Sequence, residues 1–381
     1  MMNKNRENIF FATRAIAPPW DEGSKNMIWE IAKRLDRFSM TILTFKDQKE
    51  LLDRPSVVFK KIYPSGANGN KDSQPLSFMQ KWSFLLTIIL SKASIYHFYF
   101  IPEIYSSMII KIIKQLKRGK FLQTISTPIM NEALIHKLVF GDIVVVQSEH
   151  SLNFLKSKGI KNVRKIYPAI DVERFKPGID STLLRRQLNI SKDHKIVLYG
   201  GNYYLGCNED LIETILMLSK KEMKIKFILA CRIGLPDDWS ERERMKDVFQ
   251  REGVLGNVIF LEQVKNMNQL ISLSDIHIFP ARRMAYKTDI PMVLLESLST
   301  EKPIIITDIS PLREIMKDDV GEIVPVGDVR LLAESIIKLL KNEEVRREKG
   351  KKGRKMVKSE FSINDYILKY SQLYEELNER E

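Results

Sequence analysis

The chain has 381 residues, of which 44% are hydrophobic and 29% charged, and a formal net charge of +13. One hydrophobic core rarely serves that length, so two or three domains are expected, and the composition excludes a disordered or fibrous chain. Two cysteines, Cys207 and Cys231, exclude a disulfide framework and point to a reducing, cytoplasmic setting.

From the N-terminus, apolar runs of strand length alternate with amphipathic runs of helix length. The first series predicts strands at Ile9–Thr13, Met40–Phe45, Val57–Ile62, Ser94–Tyr99, Phe121–Ile125 and Ile143–Gln147. Helices fall between them, as at Ser24–Leu35, Phe78–Leu90 and Ile104–Leu116. Near-continuous apolar strands such as DIVVVQ suit a parallel sheet covered on both faces. A second series predicts strands at Lys195–Tyr199, Lys226–Cys231, Val258–Leu261, Ile276–Pro280 and Pro303–Thr307, with helices at Glu209–Leu218 and Met292–Leu298. Lys341–Lys358 reads as a mostly solvated charge run. The last helix, Ile363–Leu377, carries Tyr366, Tyr370, Leu373 and Tyr374 on one stripe that must be packed. No stretch of about 20 apolar residues is available to cross a membrane, and the first residues lack a signal-peptide pattern.

Strand–helix alternation predicts an α/β fold of two Rossmann-like, doubly wound parallel-sheet domains joined near Ala169–Gly178. Ligands of such sheets bind at the carboxyl ends of the strands, which places the active site in a cleft where two sheets face each other. The expected domains are 1–172 and 173–360, with a terminal helix over 361–381.

Three loops are candidates for chemistry. Arg14–Asn26 leads from a strand end into a helix opened by Gly23, a geometry that favours an anion or simply caps a helix. Gly200 and Gly201 begin a second strand–turn–helix passage that lacks a dinucleotide fingerprint. The third is Tyr286-Lys-Thr-Asp-Ile-Pro-Met-Val-Leu-Leu-Glu296. Pro291 after Asp289 marks a helix start, so the amides of Met292 and Val293 and the charge of Lys287 could meet a diphosphate. Glu296 stands one turn further on an otherwise apolar helix, where a sugar hydroxyl pair or a structural ion pair would satisfy it. The five histidines show no metal-ligand spacing, and His277 reads as a satisfied core residue. There is no P-loop, no G-x-S-x-G elbow and no D-x-D pair, so neither a bound metal nor another cofactor is expected.

On these residues the chain resembles the group 1 (family 4) retaining glycosyltransferases of the GT-B fold. The resemblance runs nearly end to end. It is carried by DIHIFPARRMAYKTDIPMVLLESLSTEKPIIITDISPLREI, by VGEIVPVGDVRLLAESI and by the closing FSINDYILKYSQLYEEL, with APPWDEGSKN, VVVQSEHSLNFLKSKG and AIDVERFKP in the first half. It implies a nucleotide-sugar donor held mainly by the second domain, a glycan or lipid-linked acceptor held mainly by the first, and a final helix that returns to the first domain. Glu296 matches the second acid of the family's E-x7-E motif, which implies a ribose contact. Thr288 stands where the first motif glutamate is expected, with Asp289 one step off. Asn202 and Leu205 occupy the places of the family's Arg and Lys, and Ser126 that of its histidine. Arg232, Arg283 and Lys287 are then the nearest cations for the diphosphate, and Asp289 and Ser126 the candidate catalytic groups. The alternative is a binding protein of the same shape with little turnover.

The charge is uneven. Residues 1–170 hold 26 Lys and Arg against 13 Asp and Glu, so the whole excess lies there. A solubility feature, a nucleic acid or an anionic membrane would each explain it. Base-stacking motifs and a basic recognition helix are missing, so no nucleic-acid partner is expected. In Ser107–Arg118, the stripe Ile109, Ile112, Ile113 and Leu116 is expected to cover the protein's own sheet. Lys111, Lys114, Lys117 and Arg118 would then form an exposed row facing an anionic membrane, with the protein peripheral on its cytoplasmic side.

Overall fold

A computed structural model describes residues 7–13, 15–16, 22–44, 52, 54–62, 78–129, 131–221, 223–284 and 287–379. Arg14, residues 17–21, Phe45 and Tyr286, named above, lie outside them. The chain divides into two units. One comprises Met1–Pro168, Tyr286–Asp289 and Ile363–Glu381, and the other Ala169–Ala285 and Ile290–Ser362.

The first unit runs β1 (Asn8–Thr13), α1 (Gly23–Arg34), β2 (Ser39–Thr44), β3 (Val57–Lys61), α2 (Phe78–Leu90) and β4 (Ile95–Tyr99). It continues with α3 (Ile104–Leu116), β5 (Lys120–Ile125), α4 (Ile135–Leu138), β6 (Ile143–Val146), α5 (Glu149–Ser157) and β7 (Val163–Lys165). These strands form one sheet in the order β3-β2-β1-β4-β5-β6-β7, with every pair parallel. The three-residue edge strand β7 escaped the sequence pattern.

Phe10, Tyr96, Phe98 and Phe121 from the strands pack with Ile88 of α2 and with Ile110 and Ile113 of α3. Each such aliphatic side chain contributes roughly 1.5–3 kcal/mol on burial. The expected orientation of α3 is therefore corrected. Ile110 and Ile113 face the sheet, whereas Ile109, Ile112 and Leu116 point outward. Nor do the lysines form a free row. Lys111 Nζ donates to the His136 carbonyl at 2.5 Å, Lys114 Nζ to that of Phe140 at 2.9 Å, and Lys117 Nζ to those of Ile89 and Ser91 at 2.5 and 2.6 Å. Lys114 also pairs with Asp142 at 2.6 Å, and only Arg118 of the four stands exposed. The helix sets its apolar positions on both sides, and backbone carbonyls of neighbouring segments draw the ammonium groups inward.

The second unit runs α6 (Thr182–Gln187), β8 (Lys195–Tyr199), α7 (Asn208–Ser219), β9 (Ile225–Ala230), α8 (Pro236–Arg251), β10 (Val258–Leu261) and α9 (Met267–Leu273). There follow β11 (Ile276–Phe279), α10 (Met292–Ser299), β12 (Ile304–Thr307), β13 (Gly321–Val324), α11 (Val329–Lys341) and α12 (Glu343–Glu360). Its parallel sheet has the order β10-β9-β8-β11-β12-β13.

The charge run is a second correction, because one side of α12 is packed rather than solvated. Arg346 Nη1 donates to the carbonyls of Leu339 and Leu340 at 2.8 and 2.7 Å, and Lys349 Nζ to that of Gly321 at 3.1 Å. Gly350 and Gly353 let α12 approach α10: a Cβ at Gly350 would overlap the Glu301 carbonyl, and one at Gly353 would lie 2.7 Å from Leu298 Cδ2.

The last helix, α13 (Ile363–Glu379), belongs to the first unit and buries Tyr366, Tyr370, Leu373 and Tyr374. Tyr374 OH lies 2.8 Å from His97 Nδ1 on β4, and His97 Nε2 lies 2.8 Å from Thr124 Oγ1, which meets Tyr370 OH at 3.0 Å.

Candidate functional site

In an open parallel sheet, the strand order reverses at one point, and loops leaving the two strands there diverge to form a crevice. In the second unit that point lies between β8 and β11, which are adjacent and lead into opposite halves of the sheet. The loop after β8 begins with Gly200 and Gly201, and the segment after β11 leads to α10. The sequence candidates Gly200, Gly201, Arg283, Met292, Val293 and Glu296 all sit on these two connections.

Glycine is needed at Gly200 because the backbone lies against the first turn of α10. A Cβ there would come within 2.8 Å of Val293 Cγ2 and 3.1 Å of His277 Cε1. A Cβ at Gly201 would overlap the Tyr199 ring, whose hydroxyl donates to the Asn202 carbonyl at 3.1 Å. The loop then turns at Gly206, with φ 76°. Arg282 N–H donates to the Leu205 carbonyl at 3.0 Å and Arg283 Nε to that of Tyr204 at 2.9 Å, so the segment after β11 is tied to the loop after β8. Arg282 makes a two-point contact with the buried Asp210, Nε to Oδ2 at 2.8 Å and Nη2 to Oδ1 at 2.6 Å. Asp210 lies in the first turn of α7, where a carboxylate also complements the helix dipole.

His277 is a core residue with both ring nitrogens engaged, and it does more than fill space. Ser297 Oγ donates to the Val293 carbonyl at 2.9 Å, so it accepts from His277 Nδ1–H at 2.7 Å. Nε2 is then left to accept the Gly200 N–H at 3.1 Å. One fully buried imidazole thus holds the glycine loop to α10 and fixes its own tautomer. Sequence reasoning missed this role, and the apolar strand IHIF gave no sign of it.

Helix α10 starts at Met292 with Pro291 as its N-cap, so the amides of Met292 and Val293 are the first two of the helix and have no acceptor within it. Glu296 lies one turn further and is half-buried. Arg232 is half-buried after β9, near Gly234. Burial pushes the Cys207 thiol up to about 12, which removes it as a nucleophile at neutral pH. Among the described residues no group of three or more His, Cys, Asp or Glu could hold a metal ion.

The remaining candidates belong to the first unit. Gly23 is the first residue of α1, entered through an extended Glu22. Asp289 is fully buried; its N–H donates to the Ser126 carbonyl at 2.8 Å, and its Oδ2 accepts from Ser148 Oγ at 2.5 Å. Ser148 is the N-cap of α5 and accepts from Ser151 N–H at 2.9 Å. The two catalytic candidates therefore meet through the Ser126 backbone, and the Asp289 carboxylate holds a helix cap. Lys287 is half-buried in the same segment.

Residues 180–356 match the family of group 1 glycosyl transferases. The chain is 25% identical over 269 residues to N-acetyl-alpha-D-glucosaminyl L-malate synthase of Bacillus anthracis, covering 70% of this chain and 68% of that protein. It is 24% identical over 237 residues to the capsular polysaccharide biosynthesis glycosyltransferase CapM of Staphylococcus aureus, covering 61% of this chain but only 57% of the relative. Among solved structures, Anabaena Alr3699/HepE in complex with UDP and glucose superposes with a TM-score of 0.77 at 15% identity, over 97% of this chain and all of that one. Residues 180–356 therefore match the group 1 glycosyl transferase family, within a two-sheet α/β fold that the chain shares with GT-B glycosyltransferase structures.

Proposed function

We propose that the protein is a retaining glycosyltransferase that moves a sugar from a nucleoside-diphosphate-sugar donor to a glycan or lipid-linked acceptor. The observation that carries this reading is the glycine loop held by His277 against the first turn of α10, at the switch point of a sheet inside the matched domain. The close packing at Gly200 fixes the loop after β8 against α10, whose start supplies two amides, from Met292 and Val293, to a phosphate. Arg283 and Arg232 provide positive charge, and Glu296 accepts from the ribose hydroxyls.

The chemistry asked of the protein is positioning and electrostatic stabilisation of the departing diphosphate, without a metal ion. Retention follows if the acceptor hydroxyl attacks from the face the diphosphate leaves. The first unit holds the acceptor, which it meets at the cytoplasmic face of an anionic membrane. The charge excess of residues 1–170 supports that placement.

Binding to the folded state raises the melting temperature, so a thermal-shift panel of nucleotide sugars identifies the donor. Incubating that donor without acceptor should then release free sugar slowly, and NMR of the anomeric proton should show retention with an acceptor present. A donor that stabilises the protein yet is neither hydrolysed nor transferred would make it a binding protein of the same fold.

A further inference from the structure

We propose that the outward side of α2 and α3 is a membrane-docking face that enters the headgroup layer of an anionic bilayer. Trp82, Leu86 and Leu90 stand at helical spacing on α2, and Ile109, Ile112 and Leu116 on α3, all among the exposed large apolar residues of the protein. Leu90, Ile112 and Leu116 are 74, 60 and 77% exposed. Both helices also send side chains into the same core cluster, so they lie on the same side of the sheet. Lys117, next to Leu116, donates to the carbonyl of Ile89, next to Leu90. The two stripes therefore meet at their C-terminal ends in one continuous surface. Scattered single exposed apolar residues need no explanation, but two aligned stripes on adjoining helices mark a binding surface.

The charges around it select the occupant. Residues 78–120 carry seven Lys and Arg against one acid, Glu103, and neither α2 nor α3 contains an acidic residue. Lys81, Lys92 and Arg118 stand exposed at the border of the apolar stripes. Lys111 and Lys117, held by backbone carbonyls, lie behind the stripes, and Lys114 there is paired with Asp142. A second copy of the chain would bring like charges face to face, which is unfavourable. An anionic bilayer accepts both parts: acyl chains take the leucines and isoleucines, headgroups meet the cations, and Trp82 and Tyr105 suit the boundary. No helix among the described residues is long and apolar enough to span, so the face lies in the interface. This rests on the membrane-side acceptor proposed above and replaces adsorption through a lysine row with burial of apolar side chains.

The test uses the full chain with sedimented vesicles of phosphatidylcholine alone or with about a third phosphatidylglycerol, at low and high salt. Binding should require the anionic lipid. It should persist in part at high salt, where attachment by charge alone is screened away. Brominated acyl chains should quench the wild-type tryptophan signal but not the residual signal of W82F. The double variant I112E/L116E should bind at least tenfold more weakly, with an unchanged melting temperature and unchanged donor hydrolysis. Equal vesicle binding by this variant, or an unquenched Trp82, would overturn the proposal. So would a wild-type dimer in light scattering that the variant dissolves. Intact vesicle binding without donor hydrolysis would instead count against the transferase reading and leave this face standing.

Discussion

Acid should weaken the first unit through His97. Both ring nitrogens of this fully buried residue lie in hydrogen bonds, to Tyr374 and Thr124, and burial pushes its pKa down from 6.5 to about 3. In the unfolded chain the imidazole takes a proton near its ordinary pKa, whereas in the folded protein it stays neutral well below that. Between the two values the unfolded state binds more protons, so the stabilisation is complete above about pH 6.5 and falls as pH drops toward 3. Each unit is worth about 1.4 kcal/mol, so going from about pH 7.5 to about pH 5 should remove roughly 2 kcal/mol through this residue alone. Urea unfolding at both pH values, read by the near-ultraviolet dichroism of the tyrosines, measures the loss in the wild type and in H97Q. The variant should be about 1–3 kcal/mol less stable near neutrality because hydrogen bonds of a buried site are disturbed. Its further loss at the lower pH should be smaller than that of the wild type by roughly 2 kcal/mol. Carboxylates that titrate in the same range act on both proteins and cancel in the comparison. Parallel losses in the two proteins would refute the reasoning.

Other outcomes follow from the second unit. Glu296→Ala should weaken binding of the donor's nucleoside diphosphate, followed by calorimetry, by roughly 1.5–3 kcal/mol, the range for hydrogen bonds to a charged group. His277→Leu leaves the Gly200 N–H and the Ser297 hydroxyl without the ring, so the chain should lose about 2–4 kcal/mol in urea unfolding, with H277N recovering part of it. Arg282→Ala should destabilise by about 1.5–3 kcal/mol, measured the same way, because the Asp210 carboxylate stays buried. Turnover measured with excess EDTA should match turnover without it, since no metal takes part in the proposed transfer.

The strands were legible because both faces of each sheet are covered, which leaves almost unbroken apolar runs such as Ile143–Val146 and Ile304–Ile306. The edge strands β7 and β13, three and four residues long, offered too little pattern. The face of α3 was misread because its Ile and Lys spacing allows either side to be inward. Which side is inward was decided by carbonyls at Ile89, His136 and Phe140, each more than 20 residues away in sequence. The packed side of α12 was hidden for a similar reason: Lys349 and Arg346 read as surface charge until their carbonyl partners are known. At the candidate site, the glycines and the start of α10 were visible as turn and cap chemistry. The link through His277 was not, because its partners lie 77 and 20 residues from it.

The placement of α13 also orders the birth of the protein. The sheet of the first unit is complete by Lys165, but the helix that covers His97 and Thr124 begins at Ile363. On the ribosome, residues 169–362 are made in between, so the second unit can finish folding while the first still exposes a polar seam at His97 and Thr124 on its sheet. The half synthesised first is the half finished last. A protease cut just before Ile363 that releases α13 would consequently damage the first unit and spare the second, which lies next to the cut.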